Sequence, residues 1–165
     1  MTEGDSLVVD VGDLVGHTGR TRDFAGSRPL SLRLGESVVE GPVHVEGELT
    51  GSTDGVQAEF TASANVHFQC VRCLAEWVET LEASGSHHFS VVPDEDGYII
   101  EGTSVDMFSP ARDELSLAIP PAPLCDIACK GLCPICGTDL NSDPCDGHGE
   151  ESDSPFAVLK DLFES

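Results

Sequence analysis

From Val56 to Cys70 the chain alternates without a break: Val56, Ala58, Phe60, Ala62, Ala64, Val66, Phe68 and Cys70 occupy every second position, with polar residues between them. Successive side chains of an extended strand point to opposite faces, so this pattern predicts one long strand with a dry face and a wet face. Trp77, Leu81, Ala83, Phe89 and Val91 share one parity of a second extended segment, although Glu79, Gly85 and His87 fall on the same parity and dilute it. Read together, the two segments form an antiparallel hairpin whose tip is the Cys70-x-x-Cys73 knuckle. His67, His87 and His88 fall inside these strands, where polar surface positions account for them better than metal ligation.

The flanking sequence adds shorter elements. Leu7 to Val11, Pro29 to Leu34 and Val43 to Leu49 read as strands, and Gly51 to Gly55 as the turn before the long one. Gly12 to Arg28, polar and rich in Gly and Arg, reads as a loop or partly ordered arm. Its His17, Arg20, Arg22 and Arg28 face either solvent, an acidic surface of the protein itself or a phosphate backbone. Pro93 to Gly97 is a turn and Tyr98 to Ile100 a short strand. Asp106 or Ser109 caps a helix running through Pro110 to about Ala118. Three prolines then force Ile119 to Leu124 into an extended arm that delivers Cys125. Asn141 to Ser154 is acidic and rich in Gly, Ser and Asp. Ser154 and Pro155 open a short helix with the apolar stripe Phe156, Leu159, Leu162 and Phe163, expected to dock on the sheet or a partner. The expected fold is α+β: mainly an antiparallel β-sheet with the knuckle-tipped hairpin, short helices and a zinc-clipped C-terminal extension. Residues 1–124 would form the β body, and residues 125–165 the cysteine-rich extension and final helix, packed with it as one unit.

Five of the seven cysteines lie between Cys125 and Cys145, close to His148. With Cys70 and Cys73 they make eight soft donors, the number that two closed four-coordinate zinc sites use. Two arrangements are open. In the first, Cys70, Cys73, Cys125 and Cys129 staple the hairpin tip to the proline arm, while Cys133, Cys136, Cys145 and His148 form a local site. In the second, Cys70 and Cys73 face Cys133 and Cys136 across one ion, as in a zinc ribbon, and the other donors have no defined site. Four protein donors leave no position for water or substrate, so the zinc would be structural. Arg72 and Lys130 lie beside the thiolates, where positive charge offsets a sulfur-rich site. No phosphate loop, nucleophile elbow or His-Glu-x-x-His motif is present. The remaining enzyme class is a thiol redox or metal-handling protein, and it lacks the strand-to-helix setting that activates a Cys-x-x-Cys.

Composition narrows the partners. Thirty acidic residues against eight basic give a formal net charge of -22. Such a chain repels phosphate backbones at long range and suits a basic protein, with solubility as the plainer role of the charge. Met1 to Ser6 is not a basic segment leading into an apolar run, and no stretch approaches the roughly 18 apolar residues of a membrane span. A cytoplasmic, membrane-free protein is expected, in a reducing compartment where clustered cysteines hold metal rather than disulfides.

Several of these stretches together resemble the YceD family of large ribosomal RNA subunit accumulation proteins. They are the strand ending in Phe68 to Leu74, the segment Asp113 to Pro120, Pro123 to Cys125, the run Cys129 to Asn141 and the signature Pro155 to Leu159. Residues 1 to 55 carry little of the likeness, and His148 stands where a last cysteine is frequent. The resemblance implies a role in accumulation or maturation of large-subunit ribosomal RNA, and an association with the gene of a small basic ribosomal protein. The resulting expectation is a non-enzymatic, acidic, zinc-stabilised partner of that protein or of the pre-ribosomal particle, with one or two Zn2+. Ribosomal RNA would be contacted secondarily through Arg72, Lys130, Arg20 and Arg22. Direct RNA binding by a zinc ribbon is the alternative.

Overall fold

The computed structural model describes residues 7–92, 97–145 and 147–148. Among these the architecture is mainly antiparallel β with one α-helix. Four long strands carry it: β2 (Thr21–Leu34), β3 (Ser37–Gly51), β4 (Gly55–Gln69) and β5 (Glu76–Ser90), each antiparallel to the next. A short β6 (Tyr98–Ile99) adds to β5 in parallel, giving the order β2-β3-β4-β5-β6. Apart from this sheet, β1 (Val8–Asp10) pairs with β7 (Ser104–Asp106), which leads into α1 (Phe108–Ala118). No helix among the described residues is long and apolar enough to cross a membrane.

One face of the sheet is dry. Val39, Val43, Val45 and Leu49 of β3 and every even-numbered residue of β4 from Val56 to Phe68, small Ala and large Phe alike, are buried on it. Covering them are Leu7, Val11, Leu14, Val105 and Met107 from the β1–β7 side and Ala111, Leu115 and Ile119 from the helix. The helix buries Ala111 and Leu115 because a spacing of four returns to the same face, and Ile119 repeats it one turn on. It begins two residues before Pro110, with no side-chain cap from Met107 at its N-cap. The Asp106 carboxylate instead accepts the Phe108 N–H at 3.0 Å. Half-buried His87 packs between sheet and helix, 2.7 Å from the Glu114 carboxylate and stacked on Phe60 at 5.9 Å.

The reading of Gly12 to Arg28 as a loop is corrected here. From Thr21 onward it is the edge strand β2, in register with β3 from Thr21↔Thr50 to Leu34↔Ser37. Its alternation is hidden because Arg22 and Arg28 occupy the same parity as Phe24, Leu30 and Leu32, where apolar residues would announce a strand. Each places its apolar stem toward the body and its charge at the rim. Arg22 reaches Asp13 at 2.7 Å, and Arg28 lies 4.5 Å over the Phe108 ring and 3.6 Å from Asp106. Strand β3 is likewise longer than its apolar core suggests. It carries a bulge between Val39 and His44, and Pro42, which has no N–H to give, sits within it. The turn at Pro93 to Gly97, except for Gly97, and the final stripe Phe156 to Phe163 lie outside the described residues.

Candidate metal centres

Strands β4 and β5 end opposite each other at Gln69↔Glu76, and the Cys70 to Ala75 loop closes between them. Beneath it Phe68 and Trp77 stack at 5.3 Å. In this loop Cys70 donates its N–H to Ala75 O at 2.8 Å, and Leu74 N–H returns to Cys70 O at 2.9 Å. The loop at Cys133 repeats the pattern: Cys133 N–H reaches Thr138 O at 2.8 Å, and Gly137 N–H reaches Cys133 O at 2.9 Å. Both loops need a left-handed residue just after the second cysteine. Gly137 adopts it at φ 74° without a Cβ penalty, and Leu74 adopts it at φ 62° at a cost of about 1–2 kcal/mol.

The eight donors lie in two groups, each with its ligand atoms within 4.8 Å of one another: Cys70, Cys73, Cys125 and Cys129, and Cys133, Cys136, Cys145 and His148. Cys133 and Cys136 are thus in a different group from Cys70 and Cys73. In the first group Cys70 Sγ lies 3.9 Å from Cys129 Sγ, and Cys73 Sγ lies 3.5 Å from Cys125 Sγ. In the second, Cys136 Sγ is 3.8 Å from Cys145 Sγ, which is 3.1 Å from His148 Nε2. A tetrahedral ion with metal–sulfur bonds of about 2.3 Å separates its sulfurs by about 3.8 Å, so these donor sets have the spacing to hold metal ions.

The sulfurs are also solvated by the protein. Arg72 N–H points at Cys70 Sγ at 3.4 Å, and the Asn141 side-chain amide at Cys129 Sγ at 3.5 Å. Without a cation the sulfurs of each group, four in the first and three in the second, compete for charge. The Cys125 backbone N–H, with further backbone donors in its own loop, pulls the Cys70 thiol down to about 6. The sulfur of Cys73 and loss of hydration push Cys125 up to about 12. At the second group, the Thr138 hydroxyl and N–H, then His148, pull Cys136 down to about 6. In the first group Cys70 ionises readily while Cys73 and Cys125 resist, and in the second Cys133 and Cys136 are both lowered while Cys145 is raised, an opposition that a divalent cation would relieve.

An order of thiol reactivity follows. After chelation, at pH 7, exposed Cys136 lies above its folded-state value and is ionised, whereas exposed Cys125 lies far below its own and stays protonated. Iodoacetamide is expected to label Cys136 first and Cys125 much more slowly, and metal is expected to suppress both. Peptide mass mapping over a time course checks this, and equal rates at the two positions would contradict the electrostatics.

The two groups are tied together. Val71 N–H bonds Pro123 O at 3.0 Å, Leu132 N–H bonds Arg72 O at 3.0 Å, and Leu140 N–H bonds Gly131 O at 2.9 Å. Arg72 is part of this fastening, its guanidinium donating to Cys129 O at 2.9 Å. Lys130 is held through its backbone N–H, which donates to Asn141 Oδ1 at 2.8 Å, and its residue is exposed. Arg20 and Arg22 lie at the sheet's other end, both closed on Asp13 at 3.0 and 2.7 Å. Asn141 is the residue that sequence reasoning missed. It sits between the groups, its amide held at 2.8 Å by Asp139, whose carboxyl the Asn141 N–H in turn keeps below the usual carboxylate range. The Asp139-Leu140-Asn141 spacing is a local turn signal that discloses nothing about a sulfur reached from the side.

Residues 58–163 match the family described as large ribosomal RNA subunit accumulation protein YceD. An uncharacterised protein of Mycobacterium leprae is 26% identical over 95% of this chain and 77% of its own length. One of Mycobacterium tuberculosis is 30% identical over 67% of this chain, a region spanning only 57% of that protein. A chloroplastic Arabidopsis thaliana protein named large ribosomal RNA subunit accumulation protein YCED homolog 1 is 39% identical over 39% of this chain and 20% of its own length. No solved structure gives a significant match. The matched region contains β4 from Ala58 onward, the loop from Cys70 to Ala75 and both donor groups, and the chain belongs to the YceD family of large ribosomal RNA subunit accumulation proteins.

Proposed function

We propose that the chain is a non-enzymatic, zinc-stabilised factor in biogenesis of the large ribosomal subunit, whose acidic body engages a basic protein of that subunit or the pre-ribosomal particle carrying it. The observation that carries this reading is the pair of donor groups composed of four protein ligands each, in a chain that belongs to this family. Zinc suits seven thiolates and an imidazole better than any hard cation does, and a set of four protein donors is that of a structural site. Bound there, the ion would neutralise thiolates that otherwise oppose one another. Cys70, Cys73, Cys125 and Cys129 would hold the first ion, and Cys133, Cys136, Cys145 and His148 the second. Residues 125–165 would then act with residues 1–124 as one unit, a reading that the hydrogen bonds from Val71 and Leu132 support.

The net charge of -22 favours a basic protein over RNA as the direct ligand, and engagement of Arg20 and Arg22 by Asp13 removes two cations from a phosphate-binding role. A cytoplasmic location fits this work. The test is affinity purification of tagged protein at moderate salt together with zinc analysis of chelator-free material. Recovery of a basic large-subunit protein and about two zinc ions per chain is expected. Recovery of ribosomal RNA without such a protein, with binding lost on substitution of Arg72 and Lys130, would replace this reading with direct RNA binding.

A further inference from the structure

The charges of this molecule are sorted by face. On the open side of the sheet, away from α1, Asp23 of β2, Glu48 of β3 and Glu59 of β4 stand directly opposite one another in one row. The next rows add Glu46 between Ala25 and Thr61, and Glu82 opposite Ser63. All five carboxylates are exposed. Among the described residues none of them is in an ion pair, since the arginines at positions 20, 22, 28 and 112 are closed on Asp13, Asp106 and Asp113 elsewhere. Arg33, near the end of β2, is the only Lys or Arg among the described residues that the register places on this face.

Like charges directly opposed across strands destabilise a sheet, and this face keeps three in a row without a compensating cation. The positions between them hold Ala, Ser and Thr, which tie to one another across the strands, as Thr61 does with Ser84 at 3.2 Å. Short side chains leave room. A groove of about 270 Å³ runs here, lined by Ala25, His44, Glu46, Thr61, Ser63 and Glu82. Its rim is acidic and its floor is backbone and small side chains, so a long cationic side chain fits and a phosphate is repelled.

We infer that this open face of β2, β3 and β4 is the docking surface for an extended Lys- and Arg-rich protein segment, which lays its cations against the Asp23, Glu48 and Glu59 row and Glu46. This inference rests on the proposed engagement of a basic protein and assigns it a place. Affinity comes from several exposed ion pairs and falls with salt.

The probe is a short labelled peptide rich in Lys and Arg, titrated into the full, metal-loaded chain. Glu46→Gln, Glu48→Gln and Glu59→Gln together are expected to weaken binding about tenfold, three exposed pairs being of that order. Glu79→Gln, Glu101→Gln and Asp143→Asn, which remove as many charges off this face, are expected to weaken it less than about twofold. The face triple is also expected to melt no lower than the parent, because it relieves repulsion. Equal weakening by both triples, no weakening by either, or no binding by the parent would overturn the assignment. Binding of a single-stranded RNA oligonucleotide that is lost in the face triple would overturn it in favour of nucleic acid. Affinity purification with the face triple separates the two levels. A basic ribosomal protein still recovered leaves the proposed function standing without this surface, whereas none recovered with the parent removes the function itself.

Discussion

Cys70→Ser is expected to lose one bound zinc per chain and about 3–5 kcal/mol of stability, because it uncouples the hairpin tip from the proline arm. For a chain of this size that is a fall of about 10–15 °C in melting temperature. Cys136→Ser should also lose one zinc but lower the melting of the β body by less than about 3 °C. The asymmetry is topological. Cys70 and Cys129 are 59 residues apart, so an ion at their group closes a long loop and joins elements that otherwise meet through a few backbone hydrogen bonds. The partners of Cys136 are nearby, with Cys145 nine residues away, and an ion there orders only its own neighbourhood. Metal analysis and thermal unfolding of both variants, each with and without chelator, check this. Equal losses would mean that the two groups unfold together with the body. If Cys70→Ser fails to fold, chelation of the parent protein, which should reproduce the larger fall, supplies the same comparison.

Gly47→Ala is the second large effect, and it removes no interaction at all. Gly47 lies between Phe24 and Phe60 in one row of the sheet. A Cβ built there would stand 2.2 Å from Glu59 O and 2.7 Å from Phe60 Cα, backbone atoms that move only if β3 and β4 separate. Along the same row a side chain at Gly85 would meet Phe60 Cζ and Glu114 Cγ, both at 2.8 Å, so the Phe60 ring fills the space that Gly85 leaves open. The row is packed by alternating large and absent side chains. A loss of more than about 3 kcal/mol is expected for Gly47→Ala, with zinc content unchanged because the donors lie at the far end of the hairpin. Denaturant unfolding and metal analysis test both parts, and a near-neutral stability effect would show that the strands yield at that point.

Much of the β character was legible because it is local. The alternation from Val56 to Phe68 needs no knowledge of what covers it, since the period of two fixes which residues share a face. The same rule failed for β2, where Arg22 and Arg28 stand on the core-side parity and acquire their meaning from Asp13 in the preceding turn and from Asp106 and the Phe108 ring, supplied by a distant segment. Asn141 was invisible for the same reason, being aimed at a sulfur twelve residues away by a turn that sequence shows only as polar.

By itself the sequence determined that this protein would be a strongly acidic, mainly β chain carrying eight soft donors, because charge, period and donor chemistry belong to residues and their near neighbours. It left open which donors share a group. The tertiary structure alone decided that, by bringing the proline arm to the hairpin tip, where Pro123 O takes the Val71 N–H and Arg72 grips Cys129 O. Closure between residues some sixty apart is an entropic cost met by contacts along the whole sheet, and no spacing within a motif records it.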